Sequence, residues 1–197
     1  MIGAVVLAAG QSRRMGRPKM SLSWGGTTVV GQVVRTLSEA GVDEIVVVTG
    51  GAHQEVVAAL KGQGARLVFN PDYAGGEMTR SLQVGLGALS EEAQAAFVAL
   101  GDQPQIETGI VQAVLNRFLT CGASLVVPSY RMRRGHPWIM ARSLWPEVLA
   151  LKPPQTLRDF LNARAGEIRY FPVDSPSVLM DLDTPEDYQK YRPGAPD

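Results

Sequence analysis

Two periodicities alternate along the chain. Nearly continuous apolar runs occur at Ile2–Leu7, at Glu44–Thr49 with its IVVV core, and at Ala65–Phe69, Ala95–Leu100 and Ser124–Val127. Runs of that length without polar alternation predict strands covered on both faces. Between them lie segments with helical spacing. Thr28–Ala40 puts Val29, Val33, Val34 and Leu37 on one face and stops at Gly41. Gln54–Lys61 carries Val56, Val57 and Leu60, Met78–Leu89 follows a Gly75-Gly76 turn, and Glu107–Leu119 is amphipathic. Strands alternating with helices predict a mostly parallel sheet with helices on both sides, a Rossmann-like three-layer α/β/α fold. Such sheets bind ligands at the carboxyl ends of their strands. Leu7-Ala8, Leu100-Gly101-Asp102 and Val127-Pro128 read as strand ends, so their neighbours are expected to share one edge.

After Pro128 the pattern loosens. Tyr130 to Met140 is basic, then apolar, and is broken at Gly135-His136-Pro137. Ser143–Leu151 and Thr156–Ala163 read as helices, the second capped by Thr156 with Leu157, Phe160 and Leu161 on its apolar face. Ile168–Val173 and Ser177–Met180 read as strands. Thr184–Tyr191 is a final helix, with Thr184 as N-cap, Pro185 at its first position and Glu186 and Asp187 in its first turn. The expected organisation is one domain over residues 1–191 and a flexible tail over 192–197.

The 197 residues suffice for a substantial core, and the formal net charge is zero. That balance argues against nucleic acid or an anionic membrane surface as the main partner. The single cysteine, Cys121, excludes a disulfide framework and a cysteine-rich metal site, and suits a reducing cytoplasmic setting. The apolar runs are too short to span a membrane, and the N-terminus does not read as a signal peptide.

The chemistry concentrates in three stretches. Ile2 to Lys19 passes from an apolar run through Leu7, Ala8, Ala9 and Gly10 into a loop with Arg13, Arg14, Gly16, Arg17 and Lys19. Small residues let backbone N–H groups approach an anion, while Arg and Lys supply charge, so this is a phosphate-binding arrangement. Its spacing is neither G-x-x-x-x-G-K-[ST] nor G-x-G-x-x-G. Leu100-Gly101-Asp102-Gln103-Pro104 places a carboxylate at a strand end, where it suits Mg²⁺, although Asp102 also suits a helix cap. Met180-Asp181-Leu182-Asp183-Thr184-Pro185 offers two more carboxylates one strand step apart on the same face.

L-A-A-G-x-S-x-R-M-G-x-x-K, from Leu7 to Lys19, resembles the signature of the MobA-like nucleotidyltransferases. L-G-D-Q-P at Leu100–Pro104 and D-x-D-T-P-E-D-Y at Asp181–Tyr188 resemble two further motifs of that family, in order. The resemblance runs from Ile2 to Tyr191. It implies a fold of the nucleotide-diphospho-sugar transferase type and transfer of a nucleoside monophosphate from an NTP to a phosphorylated acceptor. It also implies Mg²⁺ as cofactor, bound by Asp102 and Asp183, with Asp181 a second candidate. Arg14 and Lys19 would contact the triphosphate, and with Asp102 form the catalytic set. Leu7, Ala8, Ala9, Gly10, Asn70 and Ser81 would line the nucleotide site. Ser81 stands in a segment resembling the family's G-x-x-x-S-L, where Glu77 and Arg80 are bulkier than usual and Ser81 is a better candidate than Thr79. Arg134-Gly135-His136-Pro137 resembles the segment around the acceptor, with Arg131 and Arg133 nearby; His136 equally suits a turn histidine.

Ala9, where the guanylyl branch more often has glycine, resembles the cytidylyl branch, which joins CMP from CTP to the phosphate of molybdopterin. A molybdoenzyme or its chaperone would then receive the product. Guanylyl transfer to the same pterin, a sugar-phosphate acceptor, and a non-catalytic cofactor-binding chaperone remain alternatives. Arg13 and Arg17 read as solvated charges, His53, which has no partner motif, as a surface residue, and Cys121 as structural. Trp24 and Trp145 read as packing, and Trp138 as packing with stacking still open.

Overall fold

The computed structural model describes residues 1–75 and 78–194, apart from the side chain of Arg13. Its centre is a mixed sheet with strand order β10-β7-β9-β6-β1-β4-β5 and a short β8 paired to β7. In chain order the elements are β1 (Ile2–Ala8), β2 (Ser23–Trp24), β3 (Thr27–Thr28), α1 (Val29–Glu39), β4 (Glu44–Thr49), α2 (His53–Ala59) and β5 (Arg66–Phe69). There follow α3 (Met78–Ala88), β6 (Ala95–Leu100), α4 (Thr108–Cys121), β7 (Leu125–Tyr130), β8 (Arg133–Arg134) and β9 (Trp138–Ala141). The chain closes with α5 (Trp145–Ala150), α6 (Leu157–Ala163), β10 (Arg169–Pro172) and α7 (Pro185–Tyr191).

β1 sits between β4 and β6, parallel to both, with Val5 level with Val46 and Val98. Alternate residues of β1 therefore feed opposite faces. Ala4, Val6 and Ala8 pack with Val30, Val33 and Leu37 of α1 and Val111 and Val114 of α4. Val5 and Leu7 pack with Leu82 and Leu86 of α3 and with Val148, Phe160 and Leu161 beyond. Both faces are covered, which is why these strands read as unbroken apolar runs. Each fully buried Val, Leu or Phe contributes on the order of 2 kcal/mol through the hydrophobic effect.

Helix ends follow their local chemistry. The Thr28 hydroxyl accepts from the Gly31 N–H at 3.1 Å and opens α1, while Gly41, at φ 91°, lets the chain leave it. Thr156 and Thr184 each form a capping box, with Asp159 and Asp187 as partners. Trp138 is 2% exposed and belongs to the core, as do Trp24 and Trp145.

Four expectations are corrected. Val127-Pro128 is not a strand end: β7 runs on to Tyr130, because Pro128 stays paired level with Phe171 of β10 and its carbonyl accepts from the Gly135 N–H. Ser177–Met180 is no strand. A 3-10 turn over Pro176–Leu179 replaces it, started by Pro176 and by the Ser175 hydroxyl, which accepts from the Ser177 N–H. Asp181 and Asp183 consequently lie on an irregular segment rather than one strand step apart. His53, expected at the surface, is half-buried: its Nδ1 lies 2.7 Å from Thr49 Oγ1, and its ring meets Phe69 edge-on. The Gly76 half of the expected Gly75-Gly76 turn, Glu77, the Arg13 side chain and residues 195–197 of the expected tail lie outside the described residues. No helix among the described residues is long and apolar enough to cross a membrane.

Candidate active site

The carboxyl ends of β1 and β6 and the loop after β5 open into a cavity of about 730 Å³. Its centre is ionic. Lys19 Nζ lies 2.5 Å from Asp102 Oδ2 and 3.3 Å from Asp183 Oδ1, and Arg14 Nη2 lies 2.9 Å from Asp183 Oδ2. Residues from the first loop, the end of β6 and the segment before α7 thus meet at one point. A third apolar cluster explains the meeting. Met15, Trp24 and Val29 pack with Leu182 and Tyr188, and the Tyr188 hydroxyl donates to the Ser23 carbonyl, so α7 is docked on the first loop.

Backbone contacts fix the carboxylates. The Leu182 N–H donates to the Asp102 carbonyl at 3.1 Å. Asp187 Oδ2 accepts from the N–H groups of Asp183 and Thr184 and from the Thr184 hydroxyl, so the cap of α7 also holds Asp183. The Lys19 N–H donates to Ser12 Oγ. Lys19 is only 8% exposed. That burial is the largest single influence on its ammonium and lowers its pKa, but Asp102 and then Asp183 outweigh it, and the net shift is upward. Asp181 is shifted up, by burial first and then by the Asp102 charge, against the hydrogen bond it accepts from Gln103 Nε2 at 2.7 Å. Among the described residues no group of three His, Cys, Asp or Glu side chains forms a metal site. Two carboxylates, Asp102 and Asp183, nevertheless converge on one cation, the Lys19 ammonium. That set of hard oxygen donors fits a divalent cation.

The cavity has two wings, one on each side of this centre. The wing toward β4 and β5 is uncharged: Ala9, Gly10, Tyr73, Gly75, Met78 and Ser81 line it. Leu7 also reaches the cavity, whereas Ala8 is fully buried behind it. Asn70 is fully buried too; its Nδ2 donates to Ser81 Oγ at 3.0 Å, and its Oδ1 accepts from the Asp72 N–H. Thr79 faces a separate shallow groove with Arg80.

The opposite wing is basic, lined by Arg133, Arg134, His136, Val178 and Leu179. Gly135 is buried where the 3-10 turn crosses it. A Cβ at that position would stand 2.6 Å from Val178 Cβ and 2.7 Å from its carbonyl oxygen. The His136 N–H donates to the same carbonyl. Pro137, joined to His136 by a cis bond, is buried beside Val33 and Leu37 and does not line the main cavity. Arg134 donates to the Tyr170 hydroxyl and to Asn162 Oδ1, which ties its guanidinium to β10 and α6 at the edge of the wing. Burial pushes the His136 imidazole down to about 4, so it is neutral at pH 7. Arg131 stacks on Tyr130 in the β7–β8 turn, away from the cavity, and Arg17 stacks on Tyr188.

Residues 4–168 match the model of the MobA-like NTP transferase domain. The chain belongs to the MobA-like NTP transferase family. The transferase is 26% identical over 188 residues to molybdenum cofactor cytidylyltransferase of Escherichia coli (strain K12), covering 95% of this chain and 93% of that one. It is similar to the crystal structure of Rv0371c from Mycobacterium tuberculosis H37Rv, with 30% identity, a TM-score of 0.85, and coverage of 96% and 95% of the two chains. A manganese complex of Rv0371C is also similar, at 29% identity and a TM-score of 0.79, covering 96% of each chain.

Gln103 and Tyr73 of the transferase's cavity, and Tyr170 outside its lining, were not singled out from sequence. Gln103 holds Asp181 and leaves its Oε1 without a partner among the described residues. Tyr73 forms a wall of the uncharged wing, and Tyr170 orients Arg134 from β10. Gln103 was visible as a polar residue beside Asp102 at a buried strand end. Tyr73 and Tyr170 carry no signal short of the tertiary fold.

Proposed function

We propose that this nucleotidyltransferase moves CMP from CTP to the phosphate of a molybdopterin-type cofactor, releasing pyrophosphate. The observation that carries the proposal is the meeting of Lys19, Arg14, Asp102 and Asp183 between an uncharged wing and a basic one. The uncharged wing suits a nucleoside. The basic wing, with Arg133 and Arg134, suits an anionic acceptor. The 26% identity to the E. coli cytidylyltransferase, and Ala9 in the first loop, favour cytidylyl transfer.

An acceptor phosphate oxygen attacks the α-phosphorus, the bond to the β-phosphate oxygen breaks, and pyrophosphate leaves. A phosphate monoester is already ionised at neutral pH, so no general base is required. Catalysis is then positioning and charge stabilisation. Asp102 and Asp183 would hold Mg²⁺, which would supply neutralisation of phosphate charge. Lys19 and Arg14 exchange their carboxylate partners for triphosphate oxygens and stabilise the departing pyrophosphate. Backbone N–H groups near Ala9 and Gly10 approach the nucleotide without side-chain obstruction. Arg134 and neutral His136 orient the acceptor.

The test is pyrophosphate release by purified protein with Mg²⁺ and molybdopterin-type cofactor, comparing CTP, GTP, ATP and UTP. Preference for CTP is the expected result. Preference for GTP moves the protein to the guanylyl branch. Release only with sugar phosphates overturns the pterin acceptor, and cofactor binding without turnover by any NTP leaves the chaperone reading.

A further inference from the structure

We infer that Tyr73 is the surface on which the nucleobase of the substrate rests, an inference that builds on the nucleotidyl-transfer reading. β6 ends at the ionic centre, β1 and β4 lie next to it, and β5 is the last strand on that side. The basic wing lies on the other side, at β7, β8 and β9. Phosphates bound by Lys19 and Arg14 therefore have an uncharged direction in which to extend the nucleoside, toward the loop after β5. Tyr73 is the aromatic side chain lining that wing among the described residues, and Met78 lies with it. A flat aromatic face suits a base, because every nucleobase has a π-face to stack on it.

The ring is held from behind. A Cβ at Gly50 would stand 2.6 Å from Tyr73 Cβ and 2.5 Å from the Ala9 carbonyl oxygen, and one at Gly51 would stand 3.3 Å from Tyr73 Cε2. The turn after β4 can therefore back the tyrosine this closely because Gly50 has no Cβ, and Gly51 adds a tight contact. Phe69 meets Tyr73 edge-on, with centroids 5.9 Å apart, and His53 meets Phe69 in the same way at 5.3 Å. His53 is anchored in turn on Thr49. Asn70 fixes the opposite side. Its carbonyl accepts from the Tyr73 N–H, its Oδ1 accepts from the Asp72 N–H, and its Nδ2 reaches Ser81. Asn70 is thus a positioning residue that sets the tyrosine and the Ser81 hydroxyl relative to each other. A ring immobilised before the ligand arrives loses little entropy on stacking.

The experiment is equilibrium titration of the full chain with Mg²⁺ complexes of CTP, GTP, ATP and UTP, and with Mg²⁺–tripolyphosphate, which carries the phosphates and no base. Tyr73→Ala is expected to weaken the preferred nucleotide by roughly tenfold or more, from the usual worth of a base–aromatic stack. It should leave tripolyphosphate affinity unchanged. Tyr73→Phe should stay close to wild type for both. Tyr73→Leu keeps bulk over Gly50 and Gly51, so it covers the case in which the alanine variant does not fold, and it should behave like the alanine. Unchanged nucleotide affinity in the leucine or alanine variant overturns the inference, as does a parallel loss of tripolyphosphate. Wild-type protein that binds tripolyphosphate no more weakly than any nucleotide overturns it while sparing the phosphate centre. Binding of neither overturns the underlying reading as well.

Discussion

Lys19 Nζ lies 2.5 Å from Asp102 Oδ2, across 83 residues of sequence and with both side chains mostly shielded from water. A buried pair broken on one side leaves an uncompensated charge, whereas replacing both partners by apolar groups removes the problem. Lys19→Met is therefore expected to destabilise the protein by about 3 kcal/mol. The double variant Lys19→Met with Asp102→Leu should recover a large part of that loss. Urea unfolding of the wild type, both single variants and the double variant measures this. A strictly additive double variant would show that the pair is not coupled.

Asp102 also tests the chemistry. Asp102→Asn keeps the shape and removes the charge. We expect pyrophosphate release to fall by on the order of 10³-fold, the worth of several kcal/mol of transition-state charge stabilisation. The far-ultraviolet circular dichroism should not change. Turnover at the wild-type rate would remove Asp102 from the machinery.

Thr184 links helix capping to the site, because the carboxylate that completes its capping box also accepts from the Asp183 N–H. Thr184→Ala should destabilise the protein by about 1 kcal/mol, the usual worth of a cap. It should also lower kcat by letting Asp183 drift. Thr184→Ser should restore both. Loss of stability with kcat intact would confine Thr184 to the helix.

His136 should make the protein acid-sensitive. Its imidazole titrates near 6.5 when unfolded and is pushed down to about 4 in the fold. Between those values the unfolded chain binds more protons, so stability falls as pH drops from about 6.5 to about 4. The full shift would correspond to about 3 kcal/mol; because the ring reaches the cavity, about 1–3 kcal/mol is expected. Urea midpoints at pH 7 and pH 4.5 should differ more for wild type than for His136→Gln. Equal pH dependence in the two would contradict a buried neutral ring.

The parts of this molecule that were legible in the sequence are those governed by short-range pattern. β4 and β6 have the bounds expected from their apolar runs, and Thr156 and Thr184 cap the helices that they precede, as expected. β9 was not legible as a strand. It has four residues, no polar alternation, and partners in β6 and β7 that only the assembled sheet supplies. Ser177–Met180 misled for a related reason: a short apolar run does not distinguish strand from 3-10 turn, and Pro176 decided it. In the site, Asp102, Asp183 and Lys19 were visible through motif resemblance. Their mutual ion pairs were not, because contacts across 83 and 164 residues leave no local trace.

β9 has a consequence for how the fold can diversify. As an antiparallel insert between β6 and β7, it leaves the contiguous parallel block β6-β1-β4-β5 intact on one side. The loops after β7 and the turn before Met180 hang on the other side. On the proposed function, substitutions or length changes there would alter acceptor recognition and leave the strands beneath the uncharged wing in place. On the same function, a lineage could exchange one phosphorylated acceptor for another by remodelling residues near Arg134 and Val178, while the strands on the NTP side are inherited unchanged.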